Sequence, residues 1–182
     1  MKRCDWATES ELERDYHDTV WGKPCHDDAF LFEMLVLEFN QAGLSWSCIL
    51  KKRENFKAAL DNFDYKKIAL YDDQKKAELL ENKGIIRNRL KINALVHNAK
   101  VFMEIQAEFG SFSNYIWGFV EDKTIVNHYR DISEVPVRTA LSDTICKDMK
   151  RRGIKFWGSV IMYSYMQAIG IVNDHLDECF CK

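Results

Sequence analysis

The sequence predicts an all-α fold for this 182-residue chain. Apolar residues recur mostly at helical spacing, whereas the alternation that is typical of strands is scarce. Only two prolines and eight glycines are present, so few positions interrupt a helix. These observations together predict nine helices, over residues 9–16, 27–41, 51–60, 65–70, 73–80, 89–109, 112–117, 139–152 and 158–169.

Local signals mark several of the helix ends. Asp27 and Asp72 stand where an N-cap carboxylate accepts from the first free amides. Gly110 and Gly153 follow helical patterns, at positions where a left-handed residue ends a helix. The segment 120–137 is the least regular part of the chain, and we expect a loop there.

Composition and charge describe an ordinary globular protein. Hydrophobic residues make up 47% and charged residues 30%, which excludes global disorder. The most apolar stretch, 158–172, is too short for a bilayer, so we expect no membrane association. Six cysteines at irregular spacing, without a secretion signal, predict the reducing cytoplasm. The net charge is −2, yet basic clusters at 51–53, 87–91 and 147–155 permit one positive face, although any single cluster is more commonly a solvated surface.

Two pairs of potential metal ligands lie at opposite ends of the chain: Cys4 with His17, and His175 with Cys179. Zinc prefers these side chains, and a site closed by four of them leaves no position for water, so it would be structural. His175 and Cys179 are four residues apart, which places them on one face of a helical turn. The alternative is two unrelated pairs, each with a cysteine buried as a small hydrophobic residue.

Glu38 continues the apolar stripe of Leu31, Met34 and Leu35 on its predicted helix. A carboxylate in that position is costly unless it is paired or lines a pocket; otherwise it must turn towards solvent. Gly43 permits close approach of the backbone to a ligand, and we expect Leu44 and Trp46 on a loop. Aromatic residues are dense near both ends of the chain; most aromatics are core, but a carboxylate beside several such rings is a good receptor for a flat cation or base. These residues are Trp6, Tyr16, Trp21 and Trp46 in the first part, and Phe156, Trp157, Tyr163 and Tyr165 in the last.

The segment 77–92 is predicted to form a helix, a tight turn at Gly84 and a second helix. Free amides at a helix start, together with flanking bases, can hold a phosphate without reading sequence. These bases are Lys83, Arg87, Arg89 and Lys91. An ordinary helical hairpin is the alternative. No other catalytic set is evident: Cys48 and Cys146 have no clear histidine partner, and we expect His26, His97 and His128 at the surface or in loops.

Several motifs together closely resemble the family of bacterial 3-methyladenine DNA glycosylase I, and the match extends from Cys4 to Cys179. The motifs are RCDW (3–6), YHD (16–18), WGKP (21–24), LE (37–38), QAGLSW (41–46), KKR (51–53), GIIR (84–87), FWG (156–158), YSYMQA (163–168) and NDH (173–175). The resemblance implies a helix-hairpin-helix glycosylase fold with one glycosylase unit over 1–182 and the motif at about 73–100. It also implies one structural zinc ion that joins the N- and C-terminal segments, with the ligands Cys4, His17, His175 and Cys179.

The resemblance further implies the roles of other residues. The base pocket would use Glu38, Tyr16 and Trp46 as principal contacts, with Trp6, Trp21 and Ser164 nearby. Lys83, Gly84 and Arg87 would clamp a phosphate, and the Gly43-Leu44 turn would enter the gap left by the extruded nucleotide. Phe39-Asn40 and Glu13 depart from the family pattern, which leaves the edge of the pocket and its fine selectivity open.

The activity implied is monofunctional, hydrolytic excision of 3-methyladenine from alkylated duplex DNA, leaving an abasic site for base excision repair. N3-methylation makes the base a cation and weakens its glycosidic bond, so no downstream aspartate is needed, and residues 90–119 contain none. We expect a monomer whose partner is double-stranded DNA containing alkylated adenine. Two alternatives remain: a zinc-containing binder without catalysis, and another hydrolase that uses Cys48 or Cys146.

Overall fold

The computed structural model describes residues 2–182, and most of them are helical, as predicted. Three short 3-10 turns, at Asp5–Ala7, Asp61–Phe63 and Ile132–Glu134, separate longer elements. The α-helices of the described chain are α1 (Glu11–Thr19), α2 (Asp28–Gln41), α3 (Trp46–Ala59), α4 (Tyr65–Ile68), α5 (Asp73–Glu81), α6 (Arg89–Phe109), α7 (Phe112–Gly118), α8 (Ala140–Arg152) and α9 (Ser159–Ala168).

The predicted end signals are confirmed. The Asp27 carboxylate accepts from the Ala29 and Phe30 amides, and Asp72 caps α5 in the same way. Gly110 and Gly153 follow α6 and α8 with φ of 82° and 110°, the left-handed conformation that glycine adopts without steric cost.

The start of α3 differs from the prediction by five residues. The Ser45 hydroxyl accepts from the Cys48 amide at 3.2 Å and therefore starts the helix at Trp46, not at residue 51. Trp46 consequently lies on the first helical turn, and our prediction of a loop position was wrong for this residue.

A two-stranded parallel sheet adds to the helical fold. Strand β1 (Ile125–Val126) pairs with β2 (Val172–Asn173), with Ile125 opposite Val172. The sequence predicted a loop over 120–137 because two-residue strands are too short to produce an alternating pattern. Through this pairing, the irregular segment is attached to the C-terminal part of the chain.

Helix α2 lies at the centre of the core and packs against α3, α6, α7 and α9. Its C-terminal half is enclosed on all sides, since every residue from 34 to 40 is buried. Glu38 is therefore held inside the protein together with the apolar residues around it. Within residues 2–182, no helix combines the length and apolar character that crossing a bilayer requires.

Candidate active site and metal centre

A cavity of about 440 Å³ opens between α1, α2, α9 and the segment 132–137. All six residues assigned to the base pocket by resemblance line it: Trp6, Tyr16, Trp21, Glu38, Trp46 and Ser164. The rings of Tyr16 and Trp46 lie 5.0 Å apart between centroids, and those of Trp6 and Trp21 lie 5.1 Å apart. The structure thus brings together aromatic residues that are up to 40 positions apart in sequence.

Glu38 is buried in this cavity without a compensating partner. Its side chain is 2% exposed, and its Oε2 accepts no hydrogen bond. The loss of solvation on burial raises the pKa of Glu38 to about 8. The alternative in which Glu38 turns towards solvent is wrong, because the surrounding half of α2 is enclosed.

Trp46 also lines this cavity, and its buried indole Nε1–H is a second unsatisfied atom. Within residues 2–182, Glu38 Oε2 and Trp46 Nε1 are the only buried side-chain nitrogen or oxygen atoms without a partner. Buried polar atoms in native proteins are almost always hydrogen-bonded, so these two exceptions require an explanation. One acceptor and one donor on an aromatic cavity match a flat, polar ligand.

The wall formed by α9 contains residues to which the sequence analysis assigned no role. Tyr163 and Gln167 line the cavity and donate to Asp174 Oδ2 at 2.7 and 2.8 Å. Asn127, in the segment after β1, donates to Asp174 Oδ1 at 2.7 Å. Asp174 is fully buried and follows the apolar pair Ile171-Val172 after one intervening residue, which was the available signal in the sequence. Its three partners come from two segments, α9 and the chain after β1, so its role became visible only in the fold.

The segment 132–137 forms the opposite wall with apolar side chains. Ile132, Val135, Pro136 and Val137 line the cavity. Val137 is 70% exposed, and Val160 across the mouth on α9 is 52% exposed. The sequence predicted only a loop here, and no pattern in it indicated a link with the site.

Only one of the two departures from the family pattern lies at the cavity. Glu13 lines it, and its carboxylate accepts from the Ser10 hydroxyl at 2.8 Å. Phe39 is fully buried in the core, and the Asn40 amide donates to the Val36 carbonyl at 2.8 Å. Of the residues that depart from the family pattern, Glu13 is therefore the one in a position to affect selectivity at the edge of this cavity.

The two terminal pairs of potential metal ligands meet in one buried cluster, in which one ligand atom from each lies within 4.8 Å of every other. The distances are 3.2 Å between His17 Nε2 and His175 Nδ1, 3.4 and 3.5 Å from Cys179 Sγ to these nitrogens, and 3.8 Å from Cys4 Sγ to His175 Nδ1. Tetrahedral zinc with ordinary bond lengths requires about 3.3 Å between nitrogens and about 3.5 Å between sulfur and nitrogen. The four side chains therefore fit one such ion.

The four ligand side chains also form hydrogen bonds with groups that surround the cluster. His17 Nδ1 lies 2.8 Å from Asp18 Oδ1, and His175 Nε2 lies 3.0 Å from the Trp21 carbonyl, so in each ring the other nitrogen faces the cluster. The Cys4 amide also lies 3.4 Å from His17 Nε2. Backbone amides point at both sulfurs, from Leu176 to Cys4 and from Cys181 to Cys179. The predicted helical turn over His175 and Cys179 is wrong, because these residues lie in irregular turns after β2.

The ligand cluster and the cavity share an aromatic wall. The His17 ring stacks on Trp21 with a centroid distance of 6.1 Å, and Trp6 meets His17 edge-on at 5.4 Å. Trp21 also contacts His175 at 4.7 Å. Any movement of the chain ends would therefore reach the cavity through Trp6 and Trp21.

The hairpin region connects α5 and α6 through residues 82–88. Lys83 and Arg87 are exposed there, whereas the Gly84 amide donates to Asn82 Oδ1 at 2.8 Å and is already used. Lys91 differs from the prediction: it is buried, and its Nζ donates to the Asn40 and Ala42 carbonyls, both at 2.8 Å. Lys91 therefore stabilises the turn before Gly43 and is not available to a phosphate.

The Gly43-Leu44 turn projects from this support. Gly43 has φ of 81°, and a Cβ built on it would meet no atom within 4 Å, so backbone conformation is the reason for glycine here. Leu44 is 40% exposed at the tip. Of the other residues considered, Cys48 and Cys146 do not line the cavity in the described chain, and three histidines are exposed: His26, His97 and His128.

Comparison with known proteins gives a consistent result. A family model described as methyladenine glycosylase matches residues 6–182. A curated DNA-3-methyladenine glycosylase from Haemophilus influenzae is 44% identical over 99% of this chain and 97% of its own length. A crystal structure of 3-methyladenine DNA glycosylase I has a TM-score of 0.96 at 43% identity, covering 99% of each chain. A Y16F variant of 3-methyladenine DNA glycosylase I in complex with 3-methyladenine also has a TM-score of 0.96, at 34% identity over 100% of this chain and 98% of its own.

Proposed function

Because this chain belongs to the methyladenine glycosylase family, we propose that it flips 3-methyladenine out of alkylated duplex DNA and excises it by hydrolysis. Family membership makes the chain a glycosylase, an enzyme that hydrolyses N-glycosyl bonds. The product would be free base and an abasic site, the first step of base excision repair. The observation that carries the proposal is the pair of unsatisfied atoms, Glu38 Oε2 and Trp46 Nε1, in an aromatic cavity.

These two atoms match the chemistry of the base. An exocyclic amine supplies the donor that Glu38 lacks, and a ring nitrogen supplies an acceptor for Trp46. The ring of Trp46 can stack on a flat base and attract its positive charge, whereas Tyr16, whose ring is tilted by 55° to that of Trp46, would address the edge of the base with its hydroxyl. Burial holds Glu38 largely protonated near neutral pH, since its pKa is about 8. A cationic base would favour the ionised carboxylate, so we expect binding to release this proton.

The reaction itself demands little acid catalysis. N3-methylation leaves adenine positively charged, so the departing base needs no proton. The protein has to extrude the nucleotide, which costs a few kcal/mol of unstacking, and exclude the undamaged base. The glycosidic bond breaks with its electron pair going to the base, which leaves as neutral 3-methyladenine. Water bonds to the sugar carbon and releases one proton to solvent. The buried carboxylate of Glu38 stabilises a positive base without forming a covalent bond to it.

DNA would be held by the hairpin and the neighbouring turn. Lys83 and Arg87 would contact a phosphate, because both basic side chains are exposed beside the start of α6. The amide of Gly84 already donates to Asn82 Oδ1, so Gly84 would contribute by letting the backbone come close to the phosphate. The exposed Leu44 would fill the space of the extruded nucleotide. We propose a monomer acting on double-stranded DNA, with residues 73–100 as a helix-hairpin-helix motif.

We also propose one structural zinc ion, held by Cys4, His17, His175 and Cys179. The donor set, the distances between ligand atoms and the outer hydrogen bonds support this assignment. A bound zinc ion would neutralise the thiolates and fix both ends of the chain. Because all four positions are filled by protein, the ion would take no part in hydrolysis.

Release of free base from methylated duplex DNA, with products separated by chromatography, tests the proposal. We expect 3-methyladenine from the native protein and at least a 100-fold slower release from Glu38→Ala or Trp46→Ala protein, the size of effect seen when one charge-stabilising group is lost. Glu54→Ala, an exposed residue on α3, is the matched control and should react normally. Tight abasic-site binding without base release would favour the non-catalytic alternative. Inactivation by thiol alkylation that Cys48→Ser or Cys146→Ser prevents would instead favour the cysteine hydrolase.

A further inference from the structure

The segment 153–158, between α8 and α9, holds an exposed aromatic ring on a strained backbone. Phe156 has φ of 55°, in the left-handed region that bulky side chains rarely adopt. Its ring is 37% exposed, so burial offsets only part of the strain. Phe63 also has positive φ, but it is buried in the core at 2% exposure. Strain that packing does not explain is characteristic of functional segments.

Helix α6 holds this strained conformation in place. Asn98 is fully buried, and its side chain brackets the backbone of Lys155: Nδ2 donates to the Lys155 carbonyl at 3.1 Å, and Oδ1 accepts from the Lys155 amide at 2.8 Å. His97 Nε2 lies 2.9 Å from the Gly153 carbonyl. The segment is thus anchored at two points, and its exposed ring is presented in a defined direction.

The segment 153–158 lies between the hairpin, residues 82–88, and the start of α9, which lines the cavity. Phe156 and Leu90 line the same shallow groove of about 450 Å³. Leu90 is 64% exposed and is the second residue of α6, directly after the hairpin. In the other direction the chain enters α9, where Val160 lines the mouth of the cavity. A strand that reaches both the hairpin and the cavity would pass this groove.

The chemistry of the groove matches a DNA backbone. Its remaining lining residues are Asn93, Ala94, His97 and Lys155, so no acidic side chain of the described chain lines it. The Lys155 side chain is exposed beside Phe156, and Arg87 and Arg89 are exposed near Leu90. A DNA strand alternates apolar sugar faces with phosphates, which suits an exposed ring next to a lysine.

We propose that Phe156 and Leu90 pack against deoxyribose in bound duplex DNA, while Lys155 contacts a phosphate. This second backbone contact would help to hold the duplex beside the hairpin. It rests on the proposed function, because the partner is the duplex on which the cavity acts. It adds affinity without contributing to the chemistry in the cavity.

Phe156→Gly provides the sharpest test, because glycine accepts positive φ without strain. We expect unchanged or higher thermal stability and about tenfold weaker binding to a duplex with an abasic-site analogue, the size expected for losing one partly exposed aromatic contact. Binding of free 3-methyladenine, followed by tryptophan fluorescence, should not change. Phe109→Ala, also a 37% exposed ring but at the far end of α6, should bind the duplex normally.

Lys155→Gln tests the phosphate contact independently of the ring. We expect the slope of log affinity against log salt concentration to become shallower by about 1. The control is Lys123→Gln, which replaces an exposed lysine remote in sequence and should leave this slope unchanged. Native affinity and slope in Phe156→Gly and Lys155→Gln would overturn the inference. So would unfolding of Phe156→Gly with a native salt slope in Lys155→Gln, or a concentration-dependent dimer that Phe156→Gly abolishes. If the native protein releases the base, any of these results would leave the proposed function intact. If the native protein releases no base but the two variants lose duplex affinity as expected, only the proposed function would be contradicted.

Discussion

The aromatic cavity and the Cys/His cluster share a wall, yet they differ in how their buried polar atoms are satisfied. In the cluster, each ligand side chain is supported by a carboxylate, a carbonyl or an amide group. In the cavity, Glu38 and Trp46 each leave a buried atom without a partner. Unsatisfied atoms destabilise a fold, whereas a closed ligand set stabilises it. The comparison supports our proposal that the cavity binds the base and that the cluster stabilises the fold.

The largest expected effect comes from opening the cluster. Cys179→Ser should lower the free energy of unfolding by more than about 4 kcal/mol, the range in which loss of a metal site falls. Cys181→Ser is the matched control, because this neighbouring cysteine lies outside the four-ligand cluster while its backbone amide contacts Cys179 Sγ. Denaturant unfolding and metal analysis measure the outcome, with one zinc per native chain expected. Native protein without stoichiometric metal would contradict the assignment.

The next largest effect should come from Glu38→Gln. This variant should be more stable than the native protein, whereas Cys179→Ser should be less stable. Base release should fall at least about 100-fold, because a neutral amide cannot complement a cationic base. The pKa of Glu38 is about 8 in the folded protein against an ordinary value of 4.5, so between these pH values only the folded state holds the proton. Native stability should therefore decline with rising pH relative to the variant, by at most about 1.4 kcal/mol per pH unit.

Urea unfolding at pH 5 and pH 7.5 measures this difference. The free energy of unfolding of Glu38→Gln relative to that of the native protein should be higher at pH 7.5 than at pH 5. The control Glu54→Gln, on the exposed face of α3, should show no such change. An equal difference at both pH values would show that burial of Glu38 carries no ionisation cost.

Asp174→Asn should have an intermediate effect. Asp174 lies between the two regions, because it binds side chains that line the cavity and directly precedes His175 of the cluster. Three donors face this one carboxylate, and an amide would place its own N–H group against one of them. We expect kcat/KM for base release to fall about tenfold and stability by about 2 kcal/mol, the usual cost of an unsatisfied buried group. Zinc content should stay at one per chain. Loss of zinc in this variant would mean that Asp174 supports the cluster and not the wall of the cavity.

Glu13→Gln should have the smallest effect. The carboxylate lies at the edge of the cavity and is partly exposed, so its attraction for a cationic base is screened. We expect kcat/KM for 3-methyladenine to fall about threefold at low salt, with the difference disappearing in high salt. A salt-independent loss would indicate a direct hydrogen bond to the base.

Local signals predicted most of the helices because their causes lie close together in sequence. Asp27 and Asp72 cap the helices they were expected to cap, and Gly110 ends α6. The start of α3 was missed because Ser45 competes with a glycine-containing turn, and only the observed hydrogen bond decides which residue starts the helix. The short strands were missed because their partners lie more than 40 residues apart.

The sequence by itself determined the helical class, the family and the residue types of both regions, because composition, spacing and motifs are local properties. Only the tertiary structure decided which atoms remain unsatisfied, since that depends on partners from distant segments. Glu38 and Lys91 demonstrate this: both are charged residues on apolar helices, yet Lys91 finds two carbonyls and Glu38 Oε2 finds no partner. The same dependence on distant partners brought Asp174 behind the wall of the cavity and joined the two ends of the chain in one cluster.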